Sequence, residues 1–340
     1  MTRLLKWTAL AIAISLVALG AHVARTWNRV WDAPLPSIHA RLDAESVKRG
    51  EYLVYGPAHC VDCHAESTSA LDEYERTGVR PRLIGGMAFA VPPIGTVFSR
   101  NLTPDTDTGI GRYSDGQLAR LLRYSVLPDG RASVRPLMEY AGMSDDDIVA
   151  IIAFLRSQPA VRHRVREDEW TVIGKIVKSL SPAFMPRTNV VAPRTAPPAQ
   201  PTRQRGEYLA RAVGNCGGCH SPMNPITFQL SGAEFSGGVP MEPRRRPGVD
   251  GTQWFQPPNL TPTDGSAIRR FPDRDVFVAR FLRGGVKYPA SPMPWECFNR
   301  MTAEDAGALY EFFRSLPPSG DSGSFGLVPK REQSQSPVSG

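Results

Sequence analysis

Cysteine is scarce in this sequence, with five in 340 residues, so any order among them carries information. Runs of like charge are nearly missing as well. The formal charge is +7, but the basic residues are mostly scattered arginines and only Arg244-Arg245-Arg246 stand together. That argues against nucleic-acid binding, which needs a basic patch or stripe. No cluster of acid, base and substrate-binding groups emerges, which counts against substrate chemistry. Long apolar runs are confined to one place near the N-terminus. Proline and glycine, by contrast, are plentiful, at 32 and 30 residues. Long irregular connections are therefore expected, and the length suffices for two ordinary domains, each burying its own core.

The apolar run extends from Trp7 to Ala24, with Arg3 and Lys6 before it and Arg25, Trp27, Arg29 and Trp31 after it. About 18 residues at 1.5 Å rise per residue reach the short end of a membrane-spanning helix. Tryptophans at its far end suit the polar boundary of a bilayer. Residues 1–31 are read as an uncleaved signal anchor. The competing reading is a cleaved signal peptide, for which Ala18-Leu19-Gly20 offers a small-x-small site. Either reading exports the rest of the chain.

Beyond the anchor the sequence repeats itself at a period of about 156 residues. Arg49-Gly50-Glu51-Tyr52-Leu53 returns as Arg205-Gly206-Glu207-Tyr208-Leu209, and Asn101-Leu102-Thr103-Pro104 as Asn259-Leu260-Thr261-Pro262. Leu122-Arg123 is answered by Leu282-Arg283. Each copy closes on a helix. Ser144 and Thr302 are the expected N-caps, Asp147 and Asp305 stand three residues on, and apolar residues follow at helical spacing. Both helices are expected to stop before a proline, Pro159 or Pro317. Between the copies, residues 161–200 turn Arg-rich and then Pro-rich and read as a linker. Within it, Trp170 to Leu180 reads as a short helix, either packed on one domain or lying at the membrane surface. The Ser-, Gly- and Gln-rich residues 319–340 read as a disordered tail.

Four of the five cysteines fall into two identical arrangements, Cys60-Val61-Asp62-Cys63-His64 and Cys216-Gly217-Gly218-Cys219-His220. In Cys-x-x-Cys-His the thiols sit one helical turn apart and can form thioethers to the two vinyl groups on one porphyrin edge. The histidine then lies beneath the iron as its proximal ligand. A redox dithiol, a disulfide or half of a zinc site uses the same Cys spacing. A shared four-Cys zinc site would need the pairs to meet, whereas each has its own repeat unit. A thioredoxin-like reading lacks a βαβ context. Two covalently bound haems c are thus expected, and their propionates, about four negative charges, would offset much of the basic excess.

Residues 45–160 and 201–318 each resemble a class I cytochrome c domain, and the whole resembles the membrane-anchored dihaem cytochromes c of bacteria. The resemblance rests on Gly50/Tyr52 and Gly206/Tyr208, the Cys-x-x-Cys-His motifs, the Asn-Leu-Thr-Pro segments, a Met-bearing loop and a last helix ending Phe-Leu-Arg-Ser or Phe-Phe-Arg-Ser. It implies an all-α fold: a tandem pair of such domains with long irregular loops, preceded by one transmembrane helix. In that family the first and last helices cross closely, glycine allowing the approach and an aromatic filling the contact.

The resemblance also implies a methionine sulfur as sixth ligand, from a loop before the last helix. Pro292-Met293-Pro294-Trp295 matches that loop, which makes Met293 the ligand in the second copy. In the first, Met138 and Met143 compete. Met143 aligns with Met301, directly before the N-cap, where an apolar residue staples onto the first turn. That leaves Met138, although it stands six residues before Ser144 while Met293 stands nine before Thr302. Met87 and Met241 read as packing residues, His59 as a surface or propionate-contacting residue, and Cys297 as a buried free thiol with thiolate ligation as its alternative.

Iron with both axial positions filled favours outer-sphere electron transfer over substrate chemistry. The expected function is a relay of single electrons at the periplasmic face of a bacterial inner membrane, single-pass anchored. The expected partners are a dehydrogenase, a quinol-oxidising complex or a terminal oxidase. A dihaem enzyme of peroxidase or thiosulfate-oxidising type, with one labile haem, is the catalytic rival. A haem-bearing docking subunit of a larger respiratory complex is the third reading.

Overall fold

The computed structural model describes residues 2–134, 138–224, 227–244, 251–283, 288, 290–320, 323 and 325–330. Arg245 and Arg246 of the arginine run, Pro136 and Leu137 before Met138, and the last ten residues of the tail lie outside them. Helix α1 (Thr2–Thr26) touches the body only near its C-terminal end and leaves its leucines and isoleucines exposed. Among the described residues it is the one helix long and apolar enough to cross a membrane.

The first copy contains α2 (Ala44–Tyr55), α3 (Cys60–His64), α4 (Thr68–Thr77), α5 (Asp115–Tyr124) and α6 (Asp145–Ser157). Then follow α7 (Val172–Leu180), α8 (Arg203–Tyr208, continued by a π-turn over Leu209–Val213), α9 (Cys216–His220), α10 (Arg274–Leu282), α11 (Trp295–Phe298) and α12 (Ala303–Ser315). The expected caps are in place. Ser144 Oγ accepts from the Asp147 amide at 3.2 Å and Thr302 Oγ1 from that of Asp305 at 3.1 Å, each satisfying one of the free amides of a helix start.

In each copy the first and last helices cross where the first has a glycine. A Cβ on Gly50 would lie 1.9 Å from the Ala150 carbonyl oxygen, and one on Gly206 would lie 1.9 Å from that of Ala308. Only glycine permits this approach, and Phe154 and Phe312 close the contact from the other helix. The copies are not separate beads. A continuous apolar core runs from Leu53, Ile148 and Phe154 through Tyr140 and Ala212 to Leu309 and Phe312.

The fold is mostly helical, but the expectation of a purely α fold needs correcting. Strands β1 (Ala88–Val91), β2 (Gly95–Phe98) and β3 (Glu169–Trp170) form one antiparallel sheet, and β4 (Gln253–Gln256) pairs with β5 (Gly326–Pro329). These segments come from the long connections, whose backbone groups need partners once they pack on the body. Two expectations change with them. Residues read as linker supply β3, fastened by Asp168, which accepts from the Phe98 amide at 3.0 Å and from Arg100 at 2.9 Å. Residues read as disordered tail supply β5, with Val328 opposite Trp254.

Candidate haem sites

Each Cys-x-x-Cys-His segment forms a single helical turn entered from a left-handed residue, His59 (φ 40°) or Asn215 (φ 45°). No disulfide joins the four cysteines of these motifs. Burial pushes the Cys60 and Cys216 thiols up to about 12.

The two histidines are held in the same way. His64 Nδ1 lies 2.8 Å from the carbonyl oxygen of Arg100, and His220 Nδ1 lies 2.9 Å from that of Pro258. Each carbonyl belongs to the residue before the Asn of an Asn-Leu-Thr-Pro segment. An Nδ1–H donated to a carbonyl leaves Nε2 as the unprotonated ligand nitrogen. Burial, the leading cause, lowers the pKa of both rings and keeps them neutral.

The asparagines explain why these carbonyls stand where they do. Asn101 Oδ1 accepts from the Thr103 amide and hydroxyl at 3.0 and 2.8 Å, and Asn259 Oδ1 accepts from the same groups of Thr261 at 2.7 and 2.8 Å. The amide nitrogens reach past the last helix of each copy, Asn101 to the Val161 carbonyl at 2.9 Å and Asn259 to that of Ser319 at 2.8 Å. The repeated segment is therefore a loop lock that presents a carbonyl to a histidine. Sequence reasoning recognised its recurrence without that role.

Met138 and Met293 are half-buried at the edge of the core, each in the loop before its last helix. Met143 and Met301 are buried directly before their N-caps, as the staple reading expects. Met87 is half-buried against the core, and Met241 pairs by its backbone with Phe255. Cys297 is a fully buried free thiol on α11, and burial pushes it well up, against thiolate character. His59 departs from expectation. Its Nε2 lies 3.3 Å from the Gly214 carbonyl and its ring meets Phe298 edge-on at 5.6 Å, so it joins the two copies.

A further junction escaped the sequence. Arg244 bonds both oxygens of buried Glu296, at 3.0 and 2.6 Å, and reaches Asp62, inside the first Cys-x-x-Cys-His, at 3.1 Å. Burial and the nearby Glu296 raise the pKa of Asp62. Burial also works upward on Glu296, but Arg244 outweighs it and holds that carboxyl low. The arginine thereby ties α11 of one copy, just after Met293, to the Cys-x-x-Cys-His helix of the other.

Paired thiols one helical turn apart, a neutral histidine with Nδ1 already engaged and a half-buried thioether in each copy form a donor set that fits covalently attached haem. No family model matches the chain. It is 29% identical over 261 residues to the cytochrome c subunit of the quinone-dependent alcohol dehydrogenase of Gluconobacter oxydans, covering 73% of this chain and 48% of that protein. It is 30% identical over 245 residues to the gluconate 2-dehydrogenase cytochrome c subunit of Pantoea cypripedii, covering 70% and 51%. It is 24% identical over 242 residues to a diheme cytochrome c-type protein of Cereibacter sphaeroides, covering 67% and 71%. The chain thus spans about half the length of the first two of these curated relatives. With its two Cys-x-x-Cys-His helices and these relatives, the chain is a c-type cytochrome.

Proposed function

We propose that the chain carries two haems c and passes single electrons from a membrane-associated dehydrogenase, as its cytochrome subunit, toward a respiratory acceptor at the periplasmic face of the inner membrane. The observation that carries this reading is the duplicated histidine geometry, Nδ1 on a main-chain carbonyl at 2.8 and 2.9 Å, in two copies of one motif. Cys60, Cys63, His64 and Met138 would hold the first haem, and Cys216, Cys219, His220 and Met293 the second. When bound, each haem supplies an iron that changes by one electron without exchanging ligands. The protein's own part is rigidity. The loop locks at Asn101 and Asn259 hold each histidine, and the Arg244 junction keeps the two sites in one body, so little need rearrange on electron arrival.

A dehydrogenase as donor is supported by the relatives, which are named as cytochrome subunits of alcohol and gluconate dehydrogenases. Helix α1 supports a single-pass anchor, and c-type haem attachment outside the cytoplasm supports the periplasmic orientation.

The test is a haem count with ferric and ferrous optical spectra of the detergent-extracted full chain, before and after carbon monoxide. Two covalent low-spin haems that ignore carbon monoxide are expected. A single haem, or one that binds carbon monoxide, would defeat the two-site relay.

A further inference from the structure

Helix α7 has two unlike faces. On one, Gly174 packs so closely on the β1–β2 turn that a Cβ would lie 1.9 Å from the Ile94 carbonyl oxygen. On the other, Val172, Ile173 and Leu180 are 74%, 51% and 50% exposed, and Ile176 falls between them on the helical wheel. So much aliphatic surface on one short helix is not the ordinary scatter of single apolar residues on a water-facing surface.

Its position indicates what covers it. α7 packs against α1. Lys175 and Lys178 lie over the ring of Trp27, 4.8 and 5.7 Å from its centre, and Lys178 also lies 4.8 Å from that of Trp170. Trp27 directly follows the last residue of α1, and next to it Arg29 stacks on Trp31 at 4.2 Å. The end of α1 is also tied to the body, because the Trp31 amide donates to the Gly130 carbonyl at 2.8 Å and Val30 pairs with Arg131. An exposed aliphatic face, flanking lysines and a tryptophan pair at the mouth of a membrane-length helix are the composition of an interfacial helix.

We infer that α7 lies in the surface of an anionic bilayer, its Val172–Ile173–Leu180 face among the lipids, as a second membrane contact beside α1. The inference rests on the reading of α1 as a membrane anchor. Lys175, Lys178 and Arg29 meet lipid phosphates while the aliphatic face enters the headgroup boundary. A single spanning helix leaves a domain free to tilt. A surface helix fastened to β3 and to the β1–β2 turn holds the first copy, which carries His64, at a set inclination to the membrane.

The test uses the full, haem-loaded chain in phosphatidylethanolamine/phosphatidylglycerol vesicles containing a photoactivatable phospholipid, with adducts mapped by mass spectrometry. Adducts on both α1 and the 172–180 segment are expected. In an Ile173→Glu/Leu180→Glu variant, whose side chains are already half exposed, the α7 adducts should be lost while those on α1 and the haem spectrum stay unchanged. Adducts on α1 alone would overturn the inference and leave the anchor standing. If α7 then became shielded from a water-borne footprinting reagent on adding a dehydrogenase, the face would be a protein-docking surface instead. Adducts on neither helix would remove the anchor reading and this inference together.

Discussion

Tyr52 donates its hydroxyl to Asp305 at 2.6 Å, across a sequence separation of 253 residues, and the repeat returns the contact: Tyr208 donates to Asp147 at 2.7 Å. Each carboxylate is already gripped by an arginine of its own copy, Asp305 by Arg205 at 2.7 and 2.9 Å and Asp147 by Arg49 at 2.8 and 3.0 Å. Each tyrosine oxygen also accepts from the cap amide of the other copy, Thr302 at 3.3 Å or Ser144 at 3.1 Å. The copies are thus joined by a reciprocal pair of Arg–Asp–Tyr chains. Burial and the nearby carboxylate both raise the tyrosine pKa values, so the hydroxyls stay protonated and donate at every physiological pH.

Removing one hydroxyl leaves a buried carboxylate one donor short and a cap amide without its acceptor. Tyr52→Phe and Tyr208→Phe should each cost about 1.5–3 kcal/mol, the range for hydrogen bonds to charged groups. Denaturant unfolding of the haem-loaded protein checks this, and an unmoved midpoint in both variants would contradict the joint.

Asp305 sets a pH dependence. Burial works to raise its pKa, but the bidentate Arg205 and the Tyr52 hydroxyl outweigh burial and hold it below the ordinary carboxylate value. A group whose folded pKa is depressed contributes stability that is complete above its unfolded value, about 3.9, and is lost as pH falls through the folded one. Stability should therefore drop on acidification below about pH 4. Asp305→Asn should cost about 3–5 kcal/mol at neutral pH by stranding buried Arg205 and should flatten the acid limb. An unchanged acid limb would refute the assignment.

Gly50→Val and Gly206→Val place a side chain where the facing carbonyl stands 1.9 Å from the Cβ position. Overpacking of this kind costs about 1–3 kcal/mol or more, and here the backbone itself must move. The expected result is a lowered melting temperature, accompanied in each variant by weaker haem retention in the copy concerned.

Asn101→Ala releases the loop that presents the Arg100 carbonyl to His64. A proximal histidine that loses its Nδ1 acceptor becomes a poorer donor to iron. The potential of the first haem should rise while the second stays in place, and Asn259→Ala should show the reverse. Redox titration followed optically separates the two.

Cys297 is expected to have no part at either iron. Cys297→Ala should leave both haem spectra unchanged and cost on the order of 1 kcal/mol of packing. A spectral change at one haem would restore the thiolate reading.

Much of the site was legible because its chemistry is local. Cys60, Cys63 and His64 answer to one helical turn, Ser144 and Thr302 to caps three residues from their targets, and Gly50 and Gly206 to a helix contact that the repeat prints twice. His59 was misjudged because its partners, Gly214 and Phe298, belong to the other copy. The strands were missed because short irregular segments carry no period of their own, and β5 forms only because β4 offers it an edge.

By itself the sequence determined the Cys-x-x-Cys-His motifs, their duplication, the membrane-length helix and the helix ends, all governed by residues within a turn or two of one another. Tertiary structure alone decided the carbonyls that orient His64 and His220, the reciprocal tyrosine–aspartate joint, the Arg244 junction and the side of α7 left uncovered. Those depend on groups tens to hundreds of residues apart, and a hydrogen bond or buried charge pair acts only once folding has brought its partners to within about 3 Å.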